Sequence, residues 1–316
     1  MNYENLQETL VIKVRGVYLV EKGIRLSIVF LNFNRITETR CTVETLLRLV
    51  GERSDIEIIA VDNGSTDGTG EYLRQQKAII SILLGKNMGI AGYNDGFRRA
   101  SGEIILVLDD DSCPRDNTIF DRLLDIFMAG SDIGIVACHI ENPDGTAQRS
   151  WHLPVQSVPG PSPFFVGCGF GIRRQLFSQI GWYPEHFFLY QNEIDVSFQV
   201  RKNHYKIVYH PECHIIHRGQ PNKRSGRRRI YYPTRNTLWL IKKYYPQPMA
   251  GYMQCSRLVI GLLRAVIFGE LTAYGLAVRD SFRKPVEKDT ASIRTRSVSA
   301  PFWRQNSLFH HLFRIT

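Results

Sequence analysis

Apolar runs that stop abruptly at short polar clusters set the rhythm of the first half of this chain. Leu26 to Phe33 (LSIVFLNF) is rich in β-branched and aromatic residues and predicts a buried strand, closing on Asn32, Asn34 and Arg35. Thr37 to Val50 follows, with Val43, Leu46, Leu47 and Val50 at helical spacing. A second strand over Ile56 to Val61 runs into Asp62 and a cluster of Asn, Gly, Ser and Thr, turn chemistry that can cap a helix starting near Gly70. A third strand, Ile79 to Leu83, precedes Gly85 to Gly89 and a helix over Gly92 to Ala100. Ile104 to Leu108 then leads straight into Asp109, Asp110 and Asp111. Strand and helix alternate three times before that triplet, so the expected class is α/β, with a Rossmann-like, mostly parallel sheet flanked by helices. Ligands of such sheets bind beyond the carboxyl ends of the strands, where each polar cluster falls.

The second half is less regular. A helix is expected near Asp121 to Met128 and a strand over Ile133 to Cys138, followed by a Pro- and Gly-rich surface loop from Glu141 to Pro163. Phe164 to Ile172 (FFVGCGFGI) reads as one strand with Gly167, Gly169 and Gly171 on its bare face. Lys206 to Tyr209 is a further strand. Before residue 25 the pattern is weak, with a strand or hairpin between Leu10 and Val20. Near the end, Leu258 to Val278 is apolar for its length but carries Arg264 and Glu270, with Arg257 just before it. A charge near the middle of a membrane span costs roughly 2.5–3.5 kcal/mol, so a helix lying on a membrane surface is expected there, or one packed on the main domain.

Charge sharpens this picture without deciding it. The 316 residues carry 40 Lys and Arg against 30 Asp and Glu, a net charge of +10 that favours anionic partners. Six cysteines form no C-x-x-C pair, and the first 25 residues contain no signal-peptide core. The expected location is cytoplasmic, peripheral on the inner face of the cell membrane.

The acids suggest the chemistry. Asp109 and Asp111, at alternate positions past a strand, can hold a hard cation and the phosphates that come with it, although an acidic loop would look the same. Glu193 and Asp195 fall in the first turn of a helix, where acids also favour the helix dipole. Three histidines and a cysteine within His210 to His217 invite a zinc reading, but the spacing fits no closed site and strand alternation puts His214 and His217 on opposite faces.

The set LNFNR, VDNGSTDGT, KNMGIAGYNDG and LVLDDDS, in this order and spacing, resembles the family 2 glycosyltransferases of GT-A fold, especially their bacterial rhamnosyltransferase-like branch. The resemblance covers residues 25–245, a nucleotide half at 25–112 and an acceptor half at 113–245. Residues 246–316 are left as a helical, membrane-associating extension. It implies that Asp62 contacts the base ring of a nucleotide, with Asn32, Asn34, Arg35, Lys86, Asn87, Gly89, Asn94 and Asp109 around the same ligand. It further implies that Asp109, Asp111 and His217 hold Mg2+ or Mn2+, while Asp110 is incidental. Glu193 is then the general base, preferred over Asp195, the second candidate catalytic acid. The family usually has an acid pair where this chain has Asn192-Glu193. The implied reaction is an inverting, metal-dependent transfer of a sugar from a nucleoside-diphosphate donor (UDP- or dTDP-linked) to a glycan or lipid-linked hydroxyl, in bacterial cell-surface polysaccharide synthesis. The alternatives are a sugar-phosphate nucleotidyltransferase, which would need a Gly-rich loop after the first strand, and a basic nucleic-acid-binding protein using Arg224 to Arg229. No nucleic-acid partner is expected.

Overall fold

A computed structural model describes residues 11–14, 17–20, 23–148, 157–219, 226–283, 287–289 and 302–307. A hairpin of β1 (Val11–Val14) and β2 (Val17–Val20) precedes the main body. Its first part alternates as the sequence predicts: β3 (Leu26–Asn32), α1 (Ile36–Val50), β4 (Ile56–Asp62), α2 (Thr69–Gln75), β5 (Ile80–Leu83), α3 (Tyr93–Arg99) and β6 (Ile104–Asp109). After it come β7 (Ser112–Pro114), α4 (Thr118–Ala129), β8 (Ile133–Glu141), β9 (Gly160–Pro161), β10 (Gly169–Arg173), α5 (Arg174–Gln179), α6 (Asn192–Lys202) and β11 (Lys206–His217). The helices α7 (Tyr232–Tyr244), α8 (Met249–Phe268) and α9 (Leu271–Arg283) follow, and residues 302–306 are again helical.

The main sheet runs β5-β4-β3-β6-β10-β8-β11-β7, with β9 pairing β11. Its first four strands are parallel, and beyond them it is mixed, because β10 lies antiparallel between β6 and β8. Two apolar layers cover it. Odd and even positions of β6 divide between them: Leu106 and Leu108 pack with α1 and α4, Ile105 and Val107 with Tyr93, Phe97 and Phe177. A third cluster, around Phe198, Trp239, Tyr244 and Met253, joins α6 to α7 and α8. The carboxyl ends of β3, β4 and β6 therefore present Asn32, Asp62 and Asp109 at one rim.

Two expected elements differ. The strand over Phe164 to Ile172 shrinks to β10, and Gly167 stands before it in a turn. A Cβ on Gly169 would meet Ile140 and Ile215, and one on Gly171 would meet Leu123 and Phe127, so these two glycines face a filled core and leave no bare surface. The apolar stretch over Leu258 to Val278 is two helices, because Gly269 takes a left-handed conformation (φ +68) and ends α8. Part of the Glu141-to-Pro163 loop (149–156) and of the basic segment (220–225, with Arg224) lies outside the described residues.

Candidate active site

The turn after β6 draws three carboxylates together. The Ser112 hydroxyl accepts the Asp109 N–H at 2.7 Å, and the Asp110 carbonyl accepts the Thr42 hydroxyl at 2.6 Å, which fixes the turn against α1. Asp109 accepts the Tyr93 hydroxyl at 2.8 Å. Arg35 Nη1 lies 3.0 Å from Asp110 Oδ1 and 2.7 Å from Asp111 Oδ2, and His217 Nε2 reaches Asp111 Oδ1 at 3.2 Å. Gln148 holds the far side of the His217 ring, 3.0 Å from Nδ1, and so sets its orientation.

Electrostatics here follow from crowding and burial. Burial opposes charge on both partners of the Asp111–His217 pair, yet their hydrogen bond and mutual attraction prevail. Asp111 falls to about 2, helped by Arg35, and His217 rises to about 11. Burial, aided by the charge of Asp111, pushes Asp109 upward. Burial also takes Asp110 to about 8 although Arg35 pulls the other way. Asp110 is thus no bystander: it is 7% exposed and shares the guanidinium of Arg35 with Asp111.

The donor set suits a divalent cation. Ligand atoms of Asp109, Cys168 and His217 lie within 4.8 Å of one another, with the Asp111 carboxylate against His217. Carboxylate oxygens and one imidazole fit Mg2+ or Mn2+, and a cation there would relieve the crowding that raises Asp109 and Asp110. Cys168 is an addition that sequence reasoning missed, since an isolated buried cysteine gives no motif to notice.

Glu193 enters the same cleft from the first turn of α6. A Cβ on Gly167 would come within 2.7 Å of Glu193 Oε1, so only glycine lets the carboxyl occupy this place. Burial, with the nearby charge of Asp109, raises Glu193 to about 7 although the Gly167 N–H donates to it. Asp195 points elsewhere. Its Oδ1 accepts Lys243 Nζ at 2.7 Å and the Tyr244 hydroxyl at 2.8 Å, an arrangement that ties α6 to α7 and keeps Asp195 out of the cleft.

The loop before α6 is held under evident constraint. Phe188, Tyr190 and Gln191 all have positive φ, an unfavourable state for such side chains. Asn236 Nδ2 donates to the carbonyls of Phe187, Leu189 and Tyr190, and Arg235 to those of His186 and Phe187. From the other half, Gly89 abuts the loop so tightly that a Cβ would lie 2.1 Å from the Phe188 carbonyl oxygen. Gly89 therefore has no room for a side chain at this contact.

The expected nucleotide residues divide. Asp62 is 4% exposed at the end of β4, and its carboxylate accepts the Ser65 N–H at 3.2 Å. Asn34, at φ +52, accepts the Thr66 N–H, tying the first polar cluster to the second. Lys86 follows β5 on the exposed side of the rim. Others are spent on the scaffold. Asn32 is fully buried between Val61 and Thr39, and Asn94 makes both its hydrogen bonds to the Tyr183 backbone. Asn87 accepts from Asn63 and from the Gly89 N–H. Arg35 sits on Asp110 and Asp111.

Residues 27–195, more than half the chain, match the family model Glycosyl transferase family 2. The chain belongs to this family. Among relatives, an uncharacterised glycosyltransferase of Nostoc sp. is 28% identical over 143 residues, 44% of this chain and 42% of that one. An undecaprenyl-phosphate 4-deoxy-4-formamido-L-arabinose transferase of Yersinia enterocolitica is 33% identical over 121 residues, 35% of this chain and 37% of its own. The chain thus spans about two fifths of the length of these two proteins. An N-acetylglucosaminyl-diphospho-decaprenol L-rhamnosyltransferase of Mycobacterium tuberculosis is 24% identical over 216 residues, 54% of this chain and 69% of that one. A mannosyltransferase of Pyrobaculum calidifontis, solved with GDP-Man and Mn2+, superposes with a TM-score of 0.57 at 15% identity, covering 93% of this chain and 86% of the other. The chain accordingly has the GT-A fold, and family membership favours a glycosyltransferase over a nucleotidyltransferase.

Proposed function

We propose that this glycosyltransferase is an inverting, metal-dependent enzyme that moves a sugar from a nucleoside-diphosphate donor to a hydroxyl of a lipid-linked glycan. One observation carries the reading: the Glu193 carboxyl, raised to about 7, shares a cleft with Asp109, Asp111 and His217. Direct displacement at an anomeric carbon needs a carboxylate that takes the acceptor's proton as the new bond forms, and a base with a pKa near the working pH does this best. Glu193 fills that role, and its desolvated setting makes it a stronger base than an exposed glutamate. Asp109, Asp111 and His217 would hold Mg2+ or Mn2+, which when bound neutralises charge on a leaving diphosphate. Asp62 receives the base ring at the β4 end. Arg35 adds positive charge beside the diphosphate.

The acceptor side faces the helical extension. Beside the Phe188 loop is a cavity of about 800 Å³ lined by Arg227, Tyr231, Tyr232, Arg235, Leu276 and Arg279, among others. Its three arginines outnumber Glu270 and Asp280, and Asp280 is taken up by Tyr231 and Arg279, so the aromatic and net-basic walls suit the phosphate end of a lipid-linked acceptor. Next to it α8 exposes Val259, Leu262, Leu263, Val266 and Ile267 as one helical stripe, which Leu271 of α9 extends. By length and composition α8 could cross a membrane, yet a third of it is buried in the protein. We read the stripe as a surface-lying contact with anionic lipid, on the inner face of the bacterial membrane.

Thermal-shift screening of UDP-, dTDP- and GDP-sugars with Mn2+ tests the donor half of this reading, since a ligand that binds only the native state raises the melting temperature. A shift with one nucleotide class that vanishes with EDTA is expected. No shift with any of them would count against the reading. The NMR spectrum of the product tests inversion, and retained anomeric configuration would overturn it.

A further inference from the structure

Two of the histidines of β11 part company in the fold. His217 turns to Asp111, whereas His214 pairs in register with His139 on the neighbouring strand β8. Glu141, two residues beyond His139, points to the same face. His139, Glu141 and His214 each offer a ligand atom, and all three atoms lie within 4.8 Å of one another. His214 Nδ1 stands 3.4 Å from Glu141 Oε2. Two ligands of a tetrahedral ion, with bonds of about 2.1 Å, are separated by about the same distance.

From this geometry we infer that His139, Glu141 and His214 form a second divalent-metal site, separate from the catalytic cluster and suited to Zn2+ or Co2+. Its donors differ in kind from the oxygen-rich set at Asp109 and Asp111. Two imidazoles and one carboxylate select Zn2+, Co2+ or Ni2+ over Mg2+ and Mn2+. The supporting contacts are those of a metal site. His139 Nδ1 is 2.7 Å from the Tyr209 hydroxyl, which leaves Nε2 to bind the ion. Arg115 donates through Nε and Nη2 to the 1%-exposed Glu141, which fixes its carboxylate while His214 approaches from the side. An Arg–Glu pair alone would already be satisfied and gives no reason for two half-buried imidazoles to converge on it, their ring centroids 5.1 Å apart. Three protein ligands leave a fourth position for water.

The ion would also have a structural task. Glu141 opens the turn that carries Gln148, and Gln148 brackets His217 through both its Nδ1 and its carbonyl. Clamping β8 to β11 at this point braces the histidine that faces Asp111.

The test is a Co2+ titration of the full chain after chelator treatment, read as visible absorption. One equivalent should give the intense d–d bands of low-coordinate Co2+, without the near-ultraviolet thiolate band that ligation by Cys168 would add. These bands should persist in Asp111→Ala and vanish in His139→Ala and His214→Ala. Tyr209→Phe, which keeps all three ligands, should weaken Co2+ binding about tenfold or more. Bands that disappear in Asp111→Ala, or survive in both histidine variants, would overturn the site. Should the histidine variants fail to fold, unchanged affinity in Tyr209→Phe would overturn it equally. None of these readouts depends on glycosyl transfer, so the site and the proposed reaction can fail independently.

Discussion

At the residue scale the account turns on one carboxyl group. Glu193→Gln keeps the shape and removes the base, so kcat should fall by about 10²–10⁴-fold with the circular dichroism spectrum unchanged. In the intact enzyme kcat should drop as pH falls through about 7, because protonated Glu193 cannot accept the acceptor's proton. Stability should show the opposite slope. The folded state holds the Glu193 proton up to about 7 while the unfolded chain releases it near 4.5, so Glu193 makes stability fall as pH rises through that window. Comparing urea midpoints of wild type and Glu193→Gln at pH 5 and pH 8 checks the sign, which the glutamine should abolish. Gly167→Ala should mimic much of the activity loss, since its Cβ would strike Glu193 Oε1. Sequence placed Glu193, Asp109, Asp111 and His217 among the candidates. It could not tell that Asp195, in the same turn of α6, faces Lys243 and Tyr244 instead. Nor could it tell that Asn32 is consumed by the Val61 carbonyl and the Thr39 hydroxyl, and Asn94 by the Tyr183 backbone. One-dimensional spacing gives a side chain's neighbours along the helix, and its partners across the fold decide its task.

At the scale of elements, the legible parts were those with strong periodicity. The strands β3, β4 and β6 and helices α1 and α4 lie where the apolar pattern put them, because the strands are continuous apolar runs buried on both faces and each helix buries one regular face. The irregular parts were harder to read. FFVGCGFGI has the composition of a strand, yet its first half must turn so that Gly167 can meet Glu193. The constrained Phe188-to-Gln191 loop has no sequence signal at all, since its shape is imposed by Asn236 and Arg235 from α7. Asn236→Ala would take a donor from the Leu189 and Tyr190 carbonyls while Arg235 still reaches that of Phe187, and a stability loss of about 1–3 kcal/mol is expected. Activity should fall further than stability explains, because α6 and Glu193 hang from that loop. Chemical denaturation and turnover measured on the same preparation separate the two effects.

Across the whole molecule, the proposed nucleotide rim, the proposed catalytic cleft and the apolar stripe of α8 follow one another from the parallel half of the sheet to the helical extension. The net charge of +10 and the stripe together predict association with vesicles that carry anionic lipid. Cosedimentation should weaken with added salt, and Leu263→Glu with Ile267→Glu should abolish it while leaving nucleotide binding intact. Binding that ignores both salt and these substitutions would remove the membrane from the account. The sequence showed this region as apolar and interrupted by charge. The break at Gly269, which turns one long helix into two, appears only in the fold.

The claim on which the donor side of the proposed reaction depends is that Asp109, Asp111 and His217 hold a divalent cation for a nucleoside diphosphate. Isothermal titration of UDP, dTDP and GDP into the protein, with Mn2+ and then with EDTA, in wild type and in Asp111→Ala, addresses it most directly. The account predicts that at least one of the three binds in wild type with Mn2+, and that this binding is lost with EDTA and in Asp111→Ala. Nucleotide binding of equal strength with and without metal, unchanged by loss of Asp111, would contradict it.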